Sequence, residues 1–379
     1  MTIINFFANF RLVVLLCLGV SGVMYGYSTW CGLGSTYDSQ HYLSAASSLL
    51  QDGVLRNADG SLYSNWPPLY PVFLALFGAN GFLIKIGQGG VLLGIIYLTY
   101  CIVSSTIMDK VLRAFLLIGI AVGTPIMLVN VFVWSEGLFV WLALGMYRLF
   151  QKYQQSPKWS LLIGLIIVSN LLCLQRLVGI GVVGLFGIML YFNQRDVKKA
   201  GCYIALSWIG VLIWLWRNTQ VEVNPSFVDN VFVASLDQTL YSYIEAVGNW
   251  IVPVGMYFSL KVILVTGWLI GTGLLLFYKR LSVKSFAFQT NFLGWSYILS
   301  MIGIGGTLSE IDRFVVPGYI WLIAGFIAIL DTVLPQLSKK RKWIIYILIG
   351  TWLLYPAGRT VKNSIFWHDV NCAKQIIPN

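Results

Sequence analysis

Few side chains in this sequence can do chemistry, and most of them stand where apolar runs begin or end. Asp38 opens the segment YDSQHYLSAASSLLQDG, 37–53, with His41 three residues on and so on the same side of a helix. Asp38 reads in two ways: as a helix cap, or as a carboxylate base held at a membrane surface. Glu136 follows Ser135 at the start of a later apolar run. Either Ser135 caps that helix and Glu136 favours its dipole, or Glu136 is a functional acid. Arg176 lies in a tight turn between two short apolar runs, and Arg217 follows Trp216 at the end of another. Each reads as a snorkelling or interfacial anchor, or as a functional cation. Glu310, Asp312 and Arg313 crowd the entry to a late apolar run, where Arg313 either pairs structurally with one of the acids or works in a site. Glu222, Asp229, Asp237 and Glu245 read as a solvated loop. One histidine at position 41 does not make a metal site, and six cysteines without paired spacing make neither a disulfide framework nor a metal cluster.

The elements that carry these residues follow from composition. Of 379 residues, 58% are apolar and only 10% charged, against about 25% charged in a soluble domain. That excludes an ordinary soluble enzyme, a disordered chain and a nucleic-acid binder. A membrane helix needs about 20 mainly apolar residues. Eleven such spans are expected: 11–29, 82–105, 112–133, 137–151, 159–174, 177–192, 200–216, 256–278, 288–307, 314–333 and 343–357. The fold class expected is therefore all-α and polytopic. The first span has Arg11 before it and no clear small-residue cleavage site, so it is expected to be an uncleaved anchor.

With the N-terminus inside, the inner loops hold sixteen of the 25 Lys and Arg and only three acids, Asp109, Asp196 and Asp331. Nine bases and eleven acids lie outside. Every inner loop is basic, so the positive-inside rule gives one orientation, and the net charge of +11 reports that orientation. Attraction to anionic inner-leaflet lipid accounts for it, and no nucleic-acid partner is needed. Asp38, Glu136, Arg176, Arg217, Glu310, Asp312 and Arg313 all fall on the outer side. Such a mixture of acids and arginines suits a polar reaction chamber at the outer leaflet.

The chain is expected to be one integral membrane domain, 1–379, elaborated by outer loops 30–81 and 217–255 and an outer tail 358–379. In the first loop, Tyr42, Ala46, Leu49 and Leu50 fall on one face of a helix that stops at Gly53. Such a helix lies in the interface plane. SNWPPLYPVFLALFG, 64–78, follows it. Its prolines force an extended entry into a re-entrant helix, and Trp66 and Tyr70 suit the interface. Cys31 and Cys372 both fall outside; whether they pair is left open.

These segments in this order resemble the GT-C superfamily of polytopic glycosyltransferases, nearest to its protein O-mannosyltransferase and lipid A aminoarabinose transferase branch. The carriers are the acid at 38, the Tyr-Leu-x-x-Ala of 42–46 and the Pro-Pro-Leu-Tyr-Pro of 67–71. VWSEGLFVWLALG (133–145), WLWRNTQVEVNP (214–225) and SEIDRFVVPGYIWLIAG (309–325) extend the match. In the last, Phe314 stands where the family has Tyr, and two acids, Glu310 and Asp312, compete for one place. The resemblance implies a polyprenyl monophosphate sugar donor and an inverting displacement. It implies Asp38 as general base, Arg313, Arg217 and Arg176 as phosphate-binding cations, and His41, Trp66, Tyr70, Glu136, Glu310 and Asp312 as the sugar and acceptor rim. No cofactor is implied. Asp38 with Glu136 is a carboxylate pair of the kind that holds a divalent cation in some branches, but nothing compels a metal.

The short outer segments point to a lipid or lipid-linked glycan acceptor, reached along the membrane. A bacterial inner membrane, with the site on the periplasmic face, is the expected location. Competing readings are a flippase or transporter of lipid-linked glycans, a polysaccharide ligase or polymerase, and a noncatalytic subunit of a glycosylation complex. Uncharged span centres and the lack of matching halves weigh against the transporter. A net acidic outer face weighs against the ligase.

Overall fold

A computed structural model describes residues 9–64, 66–221, 235–278, 281–304 and 310–374. Asn65, Glu222, Asp229, Lys279, Arg280 and Ser309, each part of the sequence reading, lie outside the described residues. In chain order the helices are α1 (Phe10–Ser28), α2 (Tyr37–Asp52), α3 (Leu69–Leu76), α4 (Gly81–Val103), α5 (Lys110–Ala121), α6 (Thr124–Val131), α7 (Glu136–Gln155) and α8 (Trp159–Gln175). They continue as α9 (Gly179–Gln194), α10 (Val197–Thr219), α11 (Leu236–Gly248), α12 (Phe258–Tyr278), α13 (Phe286–Ile304), α14 (Ile311–Phe314), α15 (Val316–Val333) and α16 (Lys339–Lys374). The described residues contain isolated bridges but no strand.

Each of the eleven expected spans is mainly helical over its described residues. Seven are long and apolar enough to cross a membrane among the described residues, α5 and α6 counting as one, and α8 and α9 are shorter apolar helices. The protein is an all-α, polytopic integral membrane protein. The expected span 112–133 is broken after Val122, where Pro125 lacks the amide that would continue the helix and sits instead in the first turn of the next; a Cβ on Gly123 would lie 2.8 Å from both the Gly119 carbonyl and the Tyr319 hydroxyl. The last span was expected to end at 357. Instead α16 runs through Pro356 to Lys374.

The chain falls into two compact units. One comprises Met1–Ser21, Thr99–Met127 and Phe232–Asn363; the other comprises Gly22–Leu98, Leu128–Val231 and Ser364–Asn379.

In the first unit α13 and α15 pack closely. Gly294 faces Leu322, Gly318 faces Ile298 and Gly325 faces Asn291, each at a distance no Cβ would tolerate. Small residues let the backbones approach where lipid gives helices no hydrophobic reason to associate. Two of the three acids expected inside serve this unit's backbone. Asp109 caps α5, accepting from the Val111 and Leu112 amides at 2.9 and 3.0 Å. Asp331 accepts from the Met108 and Asp109 amides at 2.9 and 2.8 Å. The third, Asp196, belongs to the other unit and caps α10 through the Lys199 amide at 3.0 Å.

In the second unit α8 packs against α7, α9 and α10. Ser169 meets the Tyr203 hydroxyl at 2.7 Å, and Asn170 donates to Leu206 O at 2.8 Å and accepts from Gly210 N at 3.0 Å. Contacts that advance together along both helices mean that α8 and α10 run parallel. Their C-terminal ends carry Arg176 and Arg217.

Candidate functional site

The amphipathic segment of the first long loop forms α2, ended by Gly53 in the left-handed conformation at φ 71°. Its buried face is Ser39, Tyr42, Ala45 and Ala46. The expected face ran through Leu49 and Leu50, but Leu50 is 52% exposed. Burial is concentrated toward the start of the helix, because its N-terminal end is stitched to the chain entering α7. Gly34 and Val131–Val133 exchange backbone hydrogen bonds at 2.9 Å. A Cβ on Gly34 would lie 2.2 Å from the Phe132 ring, so only glycine allows this approach. Ser39 Oγ donates to Val133 O at 3.0 Å, and Trp134 Nε1 donates to Thr36 Oγ1 at 2.9 Å.

These bonds identify the cap. Thr36 is the N-cap, in a capping box with Ser39, whose Oγ accepts the Thr36 amide at 2.9 Å. Asp38 is the second residue of the helix and is half-buried. The reading of Asp38 as the cap is thereby replaced: a Thr–Ser box does that work. The carboxylate still gains from the helix dipole.

At the start of α7 the site is built of buried polar groups. Glu136 is 1% exposed, and its Oε1 accepts from Arg176 Nη1 at 2.5 Å. Arg176 Nη1 also reaches Ser135 Oγ at 2.9 Å, and Gln175 Nε2 donates to Ser135 O at 2.9 Å. Ser135 occupies the N-cap position of α7, but its hydroxyl makes no cap bond. It serves Arg176 instead. Tyr42 is buried over this group. Burial raises the pKa of its hydroxyl, the charge of Asp38 adds to the rise, Arg176 opposes it, Glu136 adds again, and a hydrogen bond with Ser135 opposes it. Tyr42 therefore stands within electrostatic reach of Asp38, Glu136 and Arg176 together.

Aromatic rings wall the other side. His41 Nδ1 meets Asn57 Oδ1 at 3.2 Å, and its ring lies 4.6 Å from Tyr37 and 5.3 Å from Trp66. Trp66, half-buried, packs on Tyr42 at 5.6 Å and Tyr63 at 6.2 Å. Tyr70 lies buried under Tyr42 at 4.9 Å, and its hydroxyl accepts from Gln88 Nε2 at 2.5 Å. Arg217 stacks on Trp214 at 4.7 Å rather than on Trp216, and its Nη1 donates to Tyr63 O at 2.6 Å. Asn218 holds Ser64 O at 2.9 Å. The end of α10 thus grips the loop just before the prolines.

Seven of the ten candidate residues, namely Asp38, His41, Trp66, Tyr70, Glu136, Arg176 and Arg217, belong to this one unit. Glu310, Asp312 and Arg313 belong to the other. There Arg313, 4% exposed, pairs with Glu310 at 2.8 Å and lies 4.9 Å from the Phe314 ring. Asp312 is reached by solvent, yet protein packed around it raises its pKa. Arg359 opposes the rise, Glu245 adds to it and Lys261 opposes it.

Glu245, expected in a solvated loop, is on α11 and pairs with the fully buried Lys261, which also donates to Val254 O at 2.8 Å. Arg359 donates to Asn249 O at 2.6 Å. Sequence reasoning missed this cluster. The signal was Lys261, a charge inside an expected span, which must find a partner to be tolerated. Among the described residues no group of three or more His, Cys, Asp or Glu is placed to hold a metal ion.

No family model matches the sequence, and no curated protein matches it. Two solved structures of ArnT from Cupriavidus metallidurans are similar in fold, one bound to undecaprenyl phosphate and one in the apo state. Their TM-scores are 0.56 and 0.58, each at 15% identity over 88% of this chain. This chain spans 62% of the length of each ArnT chain. At this identity the likeness is one of fold.

Proposed function

We propose that this protein is an inverting membrane glycosyltransferase that moves a sugar from a polyprenyl-phosphate-linked donor to a hydroxyl of a lipid or lipid-linked glycan. The observation that carries the reading is Asp38. It stands in the first turn of α2 with its capping role taken by Thr36 and Ser39, and it acts on the buried Tyr42 together with the Glu136–Arg176 pair. The ArnT fold supports the reaction class, and the undecaprenyl phosphate held by ArnT supports the donor class.

In the proposed reaction Asp38 takes the proton of the acceptor hydroxyl. The acceptor oxygen bonds to the anomeric carbon from the face opposite the phosphate. The bond from that carbon to the phosphate oxygen breaks, and the electron pair leaves with the phosphate. Arg217 and Arg176 are the proposed cations for that charge. A guanidinium carries five donors in a planar fork that suits phosphate, and charge developing in the transition state gains most from fixed donors. Trp66 and His41 offer ring faces and edges to the sugar. Tyr70, buried on Gln88, acts by supporting Tyr42. No step is assigned to a metal, and Glu136, the proposed partner of Asp38 in any cation pair, is bonded to Arg176.

The face is supported by the disulfide between Cys31 and Cys372. Cys31 precedes Asp38 by seven residues, and such bonds persist in oxidising compartments. The test is transfer in proteoliposomes from radiolabelled polyprenyl-phosphate hexose or pentose to extracted membrane glycolipid. Asp38→Asn is expected to lower the rate by about 100-fold or more. Transfer at the wild-type rate by Asp38→Asn would sink the base assignment. Movement of lipid-linked sugar across the bilayer without transfer would favour the flippase reading.

A further inference from the structure

Tyr63 is 0% exposed, and its hydroxyl has no hydrogen-bond partner among the described residues. A buried polar group left so calls for a physical reason. The rest of Tyr63 is held firmly. Its amide donates to Leu55 O at 3.0 Å, and its carbonyl accepts from Arg217 at 2.6 Å. Its ring packs at 6.2 Å from Trp66 and 6.4 Å from Trp214. Three separate anchors therefore hold a residue whose hydroxyl has no partner among the described residues.

The surroundings of that hydroxyl are those of the candidate site. Burial raises its pKa, and neighbouring Tyr42 and the charge of Asp38 add to the rise. It thus stays protonated and is a donor as well as an acceptor. Its electrostatic neighbours include one carboxylate, Asp38, which is acceptor-only when ionised. The rings of Trp66 and Trp214 offer apolar faces. A carboxylate, a neutral donor and indole faces together match a sugar ring, which presents hydroxyl and ether oxygens at its rim and C–H groups on its faces. They do not match a phosphate, which would meet Asp38 unfavourably.

Building on the reaction proposed above, we infer that Tyr63 is a further substrate-contacting residue, donating a hydrogen bond from its hydroxyl to an oxygen of the transferred sugar beside Asp38. Trp66, the half-exposed ring next to it, is the side chain that must give way for the sugar to reach it. Arg217 then has a second task, as a positioning residue that holds the Tyr63 carbonyl and so aims the ring.

The test is Tyr63→Phe, which removes one oxygen and keeps the ring. Three readouts are needed on the full-length protein in proteoliposomes: donor-dependent transfer kinetics, the same kinetics for Asp38→Asn, and thermal melting in detergent. The expected result is a fall in kcat/KM of about tenfold or more, with melting unchanged or raised. Wild-type kcat/KM in Tyr63→Phe, with Asp38→Asn inactive, overturns this inference and leaves the proposed reaction standing. A lowered melting temperature with loss only in proportion to unfolded protein also overturns it, because the hydroxyl would then be a structural group bonded to water. Full activity of Asp38→Asn would remove the proposed reaction, and this inference with it.

Discussion

Glu136 and Arg176 meet at 2.5 Å, and the Glu136 side chain is 2% exposed while that of Arg176 is 17% exposed. Both partners lose hydration in such a pair, and their mutual attraction and hydrogen bonds offset that loss. Removing one partner strands the other. Arg176→Ala is expected to cost about 3 kcal/mol of stability, in the range for breaking a buried pair. Glu136→Gln should cost less, since it leaves no buried anion and the more exposed partner is the cation. Chemical denaturation in mixed micelles measures both. Equal losses for the two variants would show that the pair is not buried in the sense argued.

The capping box separates stability from chemistry in the first turn of α2. Thr36→Ala should cost about 1 kcal/mol, the usual value of a lost N-cap. Asp38→Asn should cost about half of that, the share that a first-turn charge draws from the helix dipole. In transfer assays the ranking should reverse, with Asp38→Asn the far more damaging change. If Asp38→Asn destabilises as much as Thr36→Ala and its lost activity tracks its unfolding, the carboxylate is structural.

Eleven helices were legible because apolar runs of sufficient length allow no other backbone in lipid. The stop of α2 at Gly53 was legible for a local reason, the left-handed cap. What escaped depends on partners far away in sequence. Asp38 has the composition of a cap, and only the contacts of Thr36 and Ser39 with Trp134 and Val133 decide against it. The tail after 357 loses apolar character, yet α16 continues through it. Tyr355 donates to Asn249 O and Val252 O, Arg359 grips Asn249 O, and Thr360 donates to Val122 O at 2.7 Å. Those bonds offset the proline at 356, whose missing amide and ring would otherwise end the helix. Arg217 was expected beside Trp216; which of two tryptophans it stacks on is set by the fold of the loop at Tyr63, not by spacing.

Asp312 gives a pH signature. Its pKa in the folded protein is raised, first by the protein packed around it. The folded state therefore prefers it protonated. The associated stability is complete below the ordinary aspartate value, about 3.9, and is lost as pH rises through the raised value. Asp312→Asn removes the ionisation and should raise the melting temperature at pH 8. That gain should shrink toward pH 4. Because solvent reaches Asp312, the effect is a partial one. An equal gain at both pH values would trace it to packing rather than charge.

The Cys31–Cys372 bond closes a loop of 341 residues in sequence separation and ties α16 to the strand-like entry of α2. Around it, Asn371 Nδ2 donates to Ser28 O at 3.1 Å, and His368 stacks on Tyr27 at 4.6 Å. Cross-linking removes chain entropy from the unfolded state and gains more for long loops, though the measured dependence on length is weak. Cys31→Ser with Cys372→Ser is expected to cost about 2 to 5 kcal/mol, read by denaturation without reductant. A maleimide-polymer gel shift checks the bond itself. Denatured, unreduced protein should take up four labels, at Cys17, Cys101, Cys173 and Cys202, and reduced protein should take up six. Protein purified from intact cells with trapped thiols should already show four. Six would mean that these cysteines face a reducing compartment, which would place Asp38, seven residues away, on the side opposite to the one proposed.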